Sequence, residues 1–272
     1  MTDPHAKYVQ RTLAGEEYAK CVTASEPDRQ VRAAFQDLVL RVAPLPGALF
    51  DFGAGAGIDA RFFAERGFAI EAYDADSRMR EYFMGYCRDL IDSGRIAVDC
   101  SDYRQFVAGQ PPRATGCFDL VIANFAPLNL IDDIQELFAK FHALTVANGK
   151  VLASVLSPYF LENWKSPRSW RNALRLWRKG QVFMPGPQAP HYLRRLANFS
   201  DLCAPHFRLS RAFRGLPSAS KQHSIGIDLH RARHHAWLHF TSCRYMFLLF
   251  EKREDIGDFS ELPPGTGTSL NC

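Results

Sequence analysis

The sequence predicts an α/β fold: a mostly parallel sheet with helices on both faces. Three observations carry this. Short apolar runs alternate with helical segments five times between residues 48 and 156, the pattern of repeated strand–helix–strand units. The first run ends in a glycine-rich turn that leads straight into a helix. Finally, 272 residues of which 47% are hydrophobic and 23% charged supply a full core and argue against global disorder.

Residues 7–43 read as helical: Glu26, Pro27 and Asp28 mark a start, and Val31, Phe35, Leu38 and Val42 recur at helical spacing. Pro44, Pro46 and Gly47 end that segment. Ala48–Phe52 is a short buried strand, and Ile58–Arg66 a helix stopped by Gly67. Phe68–Tyr73 is the second strand and Ser77–Ser93 one long helix. Ile96–Cys100 and Phe118–Ala123 are the third and fourth strands. Asp132–Val146 is a helix, and Lys150–Leu156 the fifth strand.

Beyond residue 156 the rhythm changes. Ser166 and Pro167 open a helix that stops at Gly180. Trp170, Ala173, Leu174 and Trp177 share one of its faces, and arginines occupy the others. That face is expected to pack on the core as a lid; contact with a membrane surface is the second reading. His191–Cys203 reads as helix, Phe207–Phe213 as strand, and Tyr245–Glu251 as a last buried strand. The organisation expected is a core over 1–156, a basic insertion over 157–206, the last strands with a histidine-rich insertion over 207–254, and a flexible tail over 255–272.

Charge is unevenly spread. The chain is +4 overall, but residues 157–244 carry 15 Lys+Arg against 3 Asp+Glu. Such a block suits an acidic small molecule, an anionic membrane face or nucleic acid, or is simply a solvated face. No apolar run is long enough to span a bilayer. The start lacks an apolar signal segment, so a cytoplasmic location is expected. The seven cysteines form no CxxC pair, which argues against a zinc site or a disulfide framework. His230 and His234 share a helix face, but no carboxylate or cysteine joins them at ligand spacing, and no metal is expected.

The chemistry concentrates at strand tips. In residues 48–63 a strand ends at Asp51, and Gly53, Gly55 and Gly57 precede a helix. Glycines there let a ligand approach bare backbone beside unpaired helix N–H groups. The spacing is GxGxG, with Ile58 where a dinucleotide loop has its third glycine. Asp51 would repel a pyrophosphate but suits an ammonium group. Asp74, 19 residues beyond Gly55 at the next strand tip, is placed to accept two ribose hydroxyls. Asp76 fits the capping role there. Asp102 and Tyr103 come after the third strand, where they could meet an adenine ring or simply form a turn. NFAPLN, residues 124–129, lies at the fourth tip.

These pieces, in this order, resemble the class I S-adenosylmethionine-dependent methyltransferases. DFGAGAG is similar to their first motif, YDAD to the ribose-binding tip, SDYRQF to the adenine-side loop, and FDLVIANFAPLNLIDD with VANGKVLASVL to the fourth and fifth strands. The resemblance covers residues ~30–156 well and Phe207–Arg253 loosely. It implies a Rossmann-like, mostly parallel seven-stranded sheet with a lid or acceptor insertion after the fifth strand. It implies S-adenosyl-L-methionine as cofactor, with Asp51 and the loop Gly53, Ala54, Gly55 and Gly57 on the methionine portion. Asp74 would hold the ribose, Asp102 and Tyr103 the adenine, and Asn124, Phe125 and Ala126 the sulfonium side. Ala75, Met79 and Ser101 are further candidate contacts in the same segments. Asn148-Gly149 departs from the usual glycine pair before the fifth strand.

The acceptor is expected to be a small molecule, acidic or aromatic, methylated on oxygen in a biosynthetic pathway. A hydroxyl acceptor needs a base, and His191, His223 and Tyr159 are candidates. Nucleic acid is disfavoured, because Asn124 is followed by Phe125 and Ala126 rather than by two prolines, and no Pro-Cys pair exists. A cofactor-consuming cyclase and a non-catalytic cofactor-binding subunit are the alternatives. A nicotinamide-dependent dehydrogenase is disfavoured by Asp51 and Ile58.

Overall fold

The computed structural model describes residues 15–109, 117–165, 167–184, 191–215, 226–228 and 240–253. The N-terminal helical region is two helices, α1 (Glu16–Ala24) and α2 (Glu26–Val42). Ser25 separates them because its hydroxyl accepts from the Asp28 N–H and caps α2. Next come the strands β1 (Ala48–Phe52), β2 (Ala69–Tyr73), β3 (Ile96–Asp99), β4 (Phe118–Ala123) and β5 (Thr145–Leu156). Between them lie α3 (Ile58–Ala64), α4 (Ser77–Tyr86), α5 (Arg88–Asp92), α6 (Tyr103–Ala108) and α7 (Ile134–Leu144). The single helix expected over 77–93 is thus interrupted at Cys87. Strand β5 starts at Thr145, opposite Phe118, rather than at Lys150.

The main sheet has the order β3-β2-β1-β4-β5-β10-β8-β9, with β8 (Phe207–Arg214), β9 (Gly226–Asp228) and β10 (Tyr245–Lys252). The first five strands are parallel, and β10 runs antiparallel between β5 and β8. The seven strands expected are present, and β9 adds an eighth at the edge.

Side chains alternate across each strand, and this alternation divides the core into two apolar layers. Phe50 and Phe52 join Phe138, Phe141 and Phe199 on one face. Leu49, Leu120 and Ile122 join Phe35 and Phe63 on the other. Asp51, in step with Leu49, therefore points toward the face covered by α2 and α3.

The insertion after β5 holds α8 (Pro167–Lys179), a hairpin of β6 (Gln181–Met184) and β7 (His191–Arg194), and α9 (Leu196–Cys203). The helix expected over 191–203 is corrected to a strand and a shorter helix. The tryptophan face of α8, expected to pack on the core, does not do so. Leu176 is the helix's buried residue, whereas Trp170 and Trp177 are 70% and 68% exposed. The tryptophan face points away from the core.

Arg194 fastens this insertion to the sheet. Its side chain is fully buried. It donates to the carbonyls of Leu128 (3.2 Å), Ile131 (2.6 Å) and Asp132 (2.9 Å), and to Gln181 Oε1 (3.1 Å). Those carbonyls close a 3₁₀ turn, Pro127–Leu130, just after β4, where a cation is favoured. Burial pulls the Arg194 guanidinium down to about 10. Asn129 adds a second tie: it donates to the Tyr192 carbonyl (2.6 Å) and accepts from the Leu156 N–H (2.9 Å). Arg194→Met would take the donor from the Leu128 and Ile131 carbonyls, while the Asp132 carbonyl keeps the Ile134 N–H. It should lower the unfolding free energy by about 2–4 kcal/mol, read as a shift in the urea midpoint; an unchanged midpoint would contradict this anchoring role.

Candidate functional site

The carboxyl ends of β1 and β4 open onto a cleft lined by Tyr18, Arg32, Asp51, Gly53, Ala54, Gly55, Ala56, Ile58, Asp59, Asn124 and Phe125. The cleft lies on the rim where open α/β sheets bind ligands. The glycine loop forms its floor. The N–H groups of Gly53 and Ala54 both donate to the Tyr73 carbonyl at the tip of β2, at 2.8 and 3.0 Å. Gly53 has φ +73°, and a Cβ there would stand 2.6 Å from Pro127 Cβ. Gly57 has φ +81°, and a Cβ there would meet the Phe83 ring at 2.8 Å and Cys87 Sγ at 2.9 Å. Both positions demand glycine on conformation and on space.

Asp51 is the buried carboxyl of the cleft, 2% exposed. Its Oδ2 has no hydrogen-bond partner among the described residues. Burial raises its pKa well above the usual carboxylate range; Asp59 raises it further and Arg32 opposes both. A buried carboxylate oxygen without a donor marks a place for one.

Asp59 stands one turn into the loop–helix junction and is 5% exposed. It pairs with Arg32 of α2, and it accepts from Gln36 Nε2 (2.7 Å) and Asn124 Nδ2 (3.0 Å). Asn124 Oδ1 accepts from the Phe125 N–H (2.9 Å) and from Ser154 Oγ (3.1 Å), and Ser154 Oγ accepts from the Ala126 N–H (3.3 Å). The chain this network grips is strained: Phe125 and Ala126 have φ of +60° and +65°. Two consecutive non-glycine residues in that region persist only when their surroundings hold them. The Arg32 guanidinium also lies 4.6 Å from the Phe125 ring centroid.

The remaining expected residues lie along the same rim. Asp74 accepts from the Gly55 N–H with Oδ2 (2.8 Å) and from the Asp76 N–H with Oδ1 (2.9 Å). It pins the glycine loop to β2. Burial raises its pKa, against the lowering by those two bonds. Met79 is buried, and its sulfur accepts from the Gly15 N–H; Ala75 is exposed. Asp102 is the N-cap of α6 and forms a capping box with Gln105. Ser101 Oγ, Tyr103 Oη and Tyr73 Oη are buried without a hydrogen-bond partner among the described residues. Burial raises the Tyr73 and Tyr103 hydroxyl pKa values.

The catalytic candidates fare differently. His191 sits on β7 opposite Met184, and Tyr159 packs against the phenylalanine layer; neither lines the cleft. His223, like His230 and His234, lies outside the described residues. No metal-binding cluster occurs among the described residues. Three polar cleft residues escape a reading of the sequence: Tyr18, Arg32 and Asp59. Tyr18 comes from α1, and burial pushes its hydroxyl up to about 12. Only Asp59 leaves a trace, an acid in the first turn after the glycines.

Residues 28–201 match the family described as methyltransferase domain. A search of curated protein sequences gave no match. Among solved structures, the chain is similar to a Burkholderia thailandensis 1,6-didemethyltoxoflavin-N1-methyltransferase with bound 1,6-didemethyltoxoflavin and S-adenosylhomocysteine. The identity is 14%, the coverage 93% of this chain and 92% of that one, and the TM-score 0.57. An S-adenosylmethionine-dependent methyltransferase from Mesorhizobium loti aligns at 14% identity over 82% of this chain and 99% of its own, TM-score 0.58. Geranyl diphosphate C-methyltransferase from Streptomyces coelicolor aligns at 11% identity over 81% and 76%, TM-score 0.53.

The raised pKa of Asp51 has a stability consequence. The folded state holds this proton above the pH at which the unfolded chain releases it, so stability falls as pH rises through that window. Asp51→Asn should therefore raise the thermal midpoint at pH 7 and flatten its decline from about pH 4 upward. A lower midpoint at pH 7, measured by calorimetry, would contradict the account of this carboxyl.

Proposed function

The chain belongs to the methyltransferase-domain family, and we propose that it transfers a methyl group from S-adenosyl-L-methionine to a hydroxyl of a small molecule in a biosynthetic pathway. The observation that carries this reading is the cleft with its unpartnered buried Asp51 oxygen. The residues present fit the cofactor. Asp51 offers an acceptor to an ammonium group, and Gly53, Ala54 and Gly55 offer bare backbone on which a chain can lie. Each Asp74 oxygen accepts one N–H and keeps a further lone pair, which ribose hydroxyls can use. The orphan hydroxyls of Ser101, Tyr73 and Tyr103, with Asp102 beside them, suit the polar edge of an adenine.

When bound, the cofactor supplies a methyl group already activated by a sulfonium. The protein's part is mainly orientation, which can itself carry much of the acceleration, with effective molarities of ~10⁵–10⁸ M. Asn124, Phe125 and Ala126 form the rim from which an acceptor reaches the cleft, and the Asp59 network holds that rim in its strained form. The ligands in the Burkholderia and Streptomyces structures, 1,6-didemethyltoxoflavin and geranyl diphosphate, are small molecules, which supports the same acceptor class here. No base is assigned, since His191 and Tyr159 do not line the cleft.

Isothermal titration with S-adenosylmethionine, S-adenosylhomocysteine and NAD tests the reading. The first two should bind at micromolar affinity and NAD should not; the reverse, or no binding, would sink it. Asp74→Ala should weaken S-adenosylhomocysteine binding at least ~10-fold, the loss of charge-assisted bonds worth about 1.5–3 kcal/mol. Unchanged affinity would remove Asp74 from the ribose site.

A further inference from the structure

Helix α8 presents three stripes. At about 100° per residue, Ser169, Asn172, Ala173 and Leu176 fall on one side, and these are its buried or half-buried residues. Trp170, Leu174 and Trp177 fall within an arc of about 60° and are 70%, 47% and 68% exposed. Arg171, Arg175 and Arg178 form the third stripe, exposed and bordering the tryptophans. The helix contains no Asp or Glu.

This face is held rigidly outward. Leu176 packs with Val182 and Leu193, beside Leu156, Trp164 and Met184. Leu156 is the last residue of β5, so α8 is fixed near the carboxyl edge of the sheet, the edge that carries the cleft. An isolated exposed leucine needs no explanation. Two tryptophans and a leucine in one line, edged by arginines, form a surface built for contact.

We propose that α8 is an interfacial helix that docks the protein on an anionic phospholipid bilayer. Trp170, Leu174 and Trp177 enter the headgroup–acyl boundary, where an indole keeps its apolar body in lipid and its N–H in water. Arg171, Arg175 and Arg178 lie over lipid phosphates, and the excess of 15 Lys+Arg over 3 Asp+Glu in residues 157–244 favours an anionic surface over a neutral one. A single-stranded nucleic acid also takes arginines and aromatic rings. It would need them interleaved so that bases and phosphates alternate, whereas here the apolar line and the cationic line run side by side along the helix. That side-by-side arrangement is the amphipathic pattern of a helix lying in a membrane plane.

The experiment uses the full chain with extruded vesicles of phosphatidylcholine alone or with one third phosphatidylglycerol, read by co-sedimentation and by tryptophan emission. The protein should partition onto the anionic vesicles at least ~10-fold more strongly than onto neutral ones. Salt should weaken this binding, and brominated lipid should quench the emission. Trp170→Ser with Trp177→Ser should reduce partition at least ~10-fold with an unchanged circular dichroism spectrum, since both side chains are exposed. Arg171→Gln with Arg175→Gln, a second double variant, should erase the preference for anionic lipid. Absence of binding to both vesicle types would overturn the proposal, as would equal binding by the variants. It would also fall if the tryptophans instead governed oligonucleotide binding, self-association, or contact with the acidic residues after Arg253, without vesicle binding.

Discussion

The Asp59 carboxylate joins three elements that are distant in sequence. It takes donors from α2, through Arg32 and Gln36, and from the tip of β4, through Asn124, while its own backbone sits in the first turn of α3. A buried carboxylate without such donors would cost several kcal/mol. With them it fixes where the N-terminal helix meets the glycine loop and where the strand tip turns. The strain at Phe125 and Ala126 is tolerable only because Asn124 and Ser154 hold the adjoining backbone N–H groups. Cleft, rim and N-terminal cover are thus parts of one polar network built into an otherwise apolar layer.

The opposite side of the same rim is held by a different device. Arg194 and the backbone of Tyr192 reach from the inserted hairpin to the turn after Ala126. The insertion is therefore coupled to the rim rather than appended to it. A displacement of the hairpin would be felt at Leu128 and Asn129, within a few residues of the cleft. The segment from Asn124 to Asp132 is thus held at both ends, at Asn124 and Phe125 by groups from α2 and α3 and from Leu128 onward by a buried guanidinium of the insertion.

Much of the parallel core is legible in the chain because strand tips and glycines are local signals. Ala48–Phe52 and Phe118–Ala123 have the bounds expected, since each is a short apolar run ended by a turn residue. The departures have tertiary causes. The helix over 77–93 breaks at Cys87, whose side chain packs beneath Gly57, with Sγ 3.7 Å from the Gly57 carbonyl oxygen. Thr145 and Val146 read as the end of a helix, yet Thr145 pairs with Phe118 and opens β5. Residues 191–194 share helical periodicity with residues 195–203, yet the hairpin partner 181–184 and the burial of Arg194 make them a strand. At the site, Asp51 and the glycines announce themselves by position. Arg32 and Tyr18 resemble ordinary surface residues of an amphipathic helix, and only the packing of α1 and α2 over the cleft reveals them. The tryptophan face of α8 departs from the expected packing on the core for the converse reason: apolar periodicity identifies a face but not what lies opposite it.

Strand β10 is the last strand described in the chain, yet it lies between β5 and β8 and pairs with both. During vectorial synthesis the segments on either side of it emerge first and must wait with their edges unsatisfied. Five parallel strands can assemble, but β5 then exposes a long apolar edge, a ready template for mispairing. Completion of the sheet is a late keystone event, bringing Met246, Phe247, Leu248 and Phe250 into both apolar layers at once. Ribosome-bound chains that stop short of residue 245 should therefore be natural clients of chaperones that shield open strand edges.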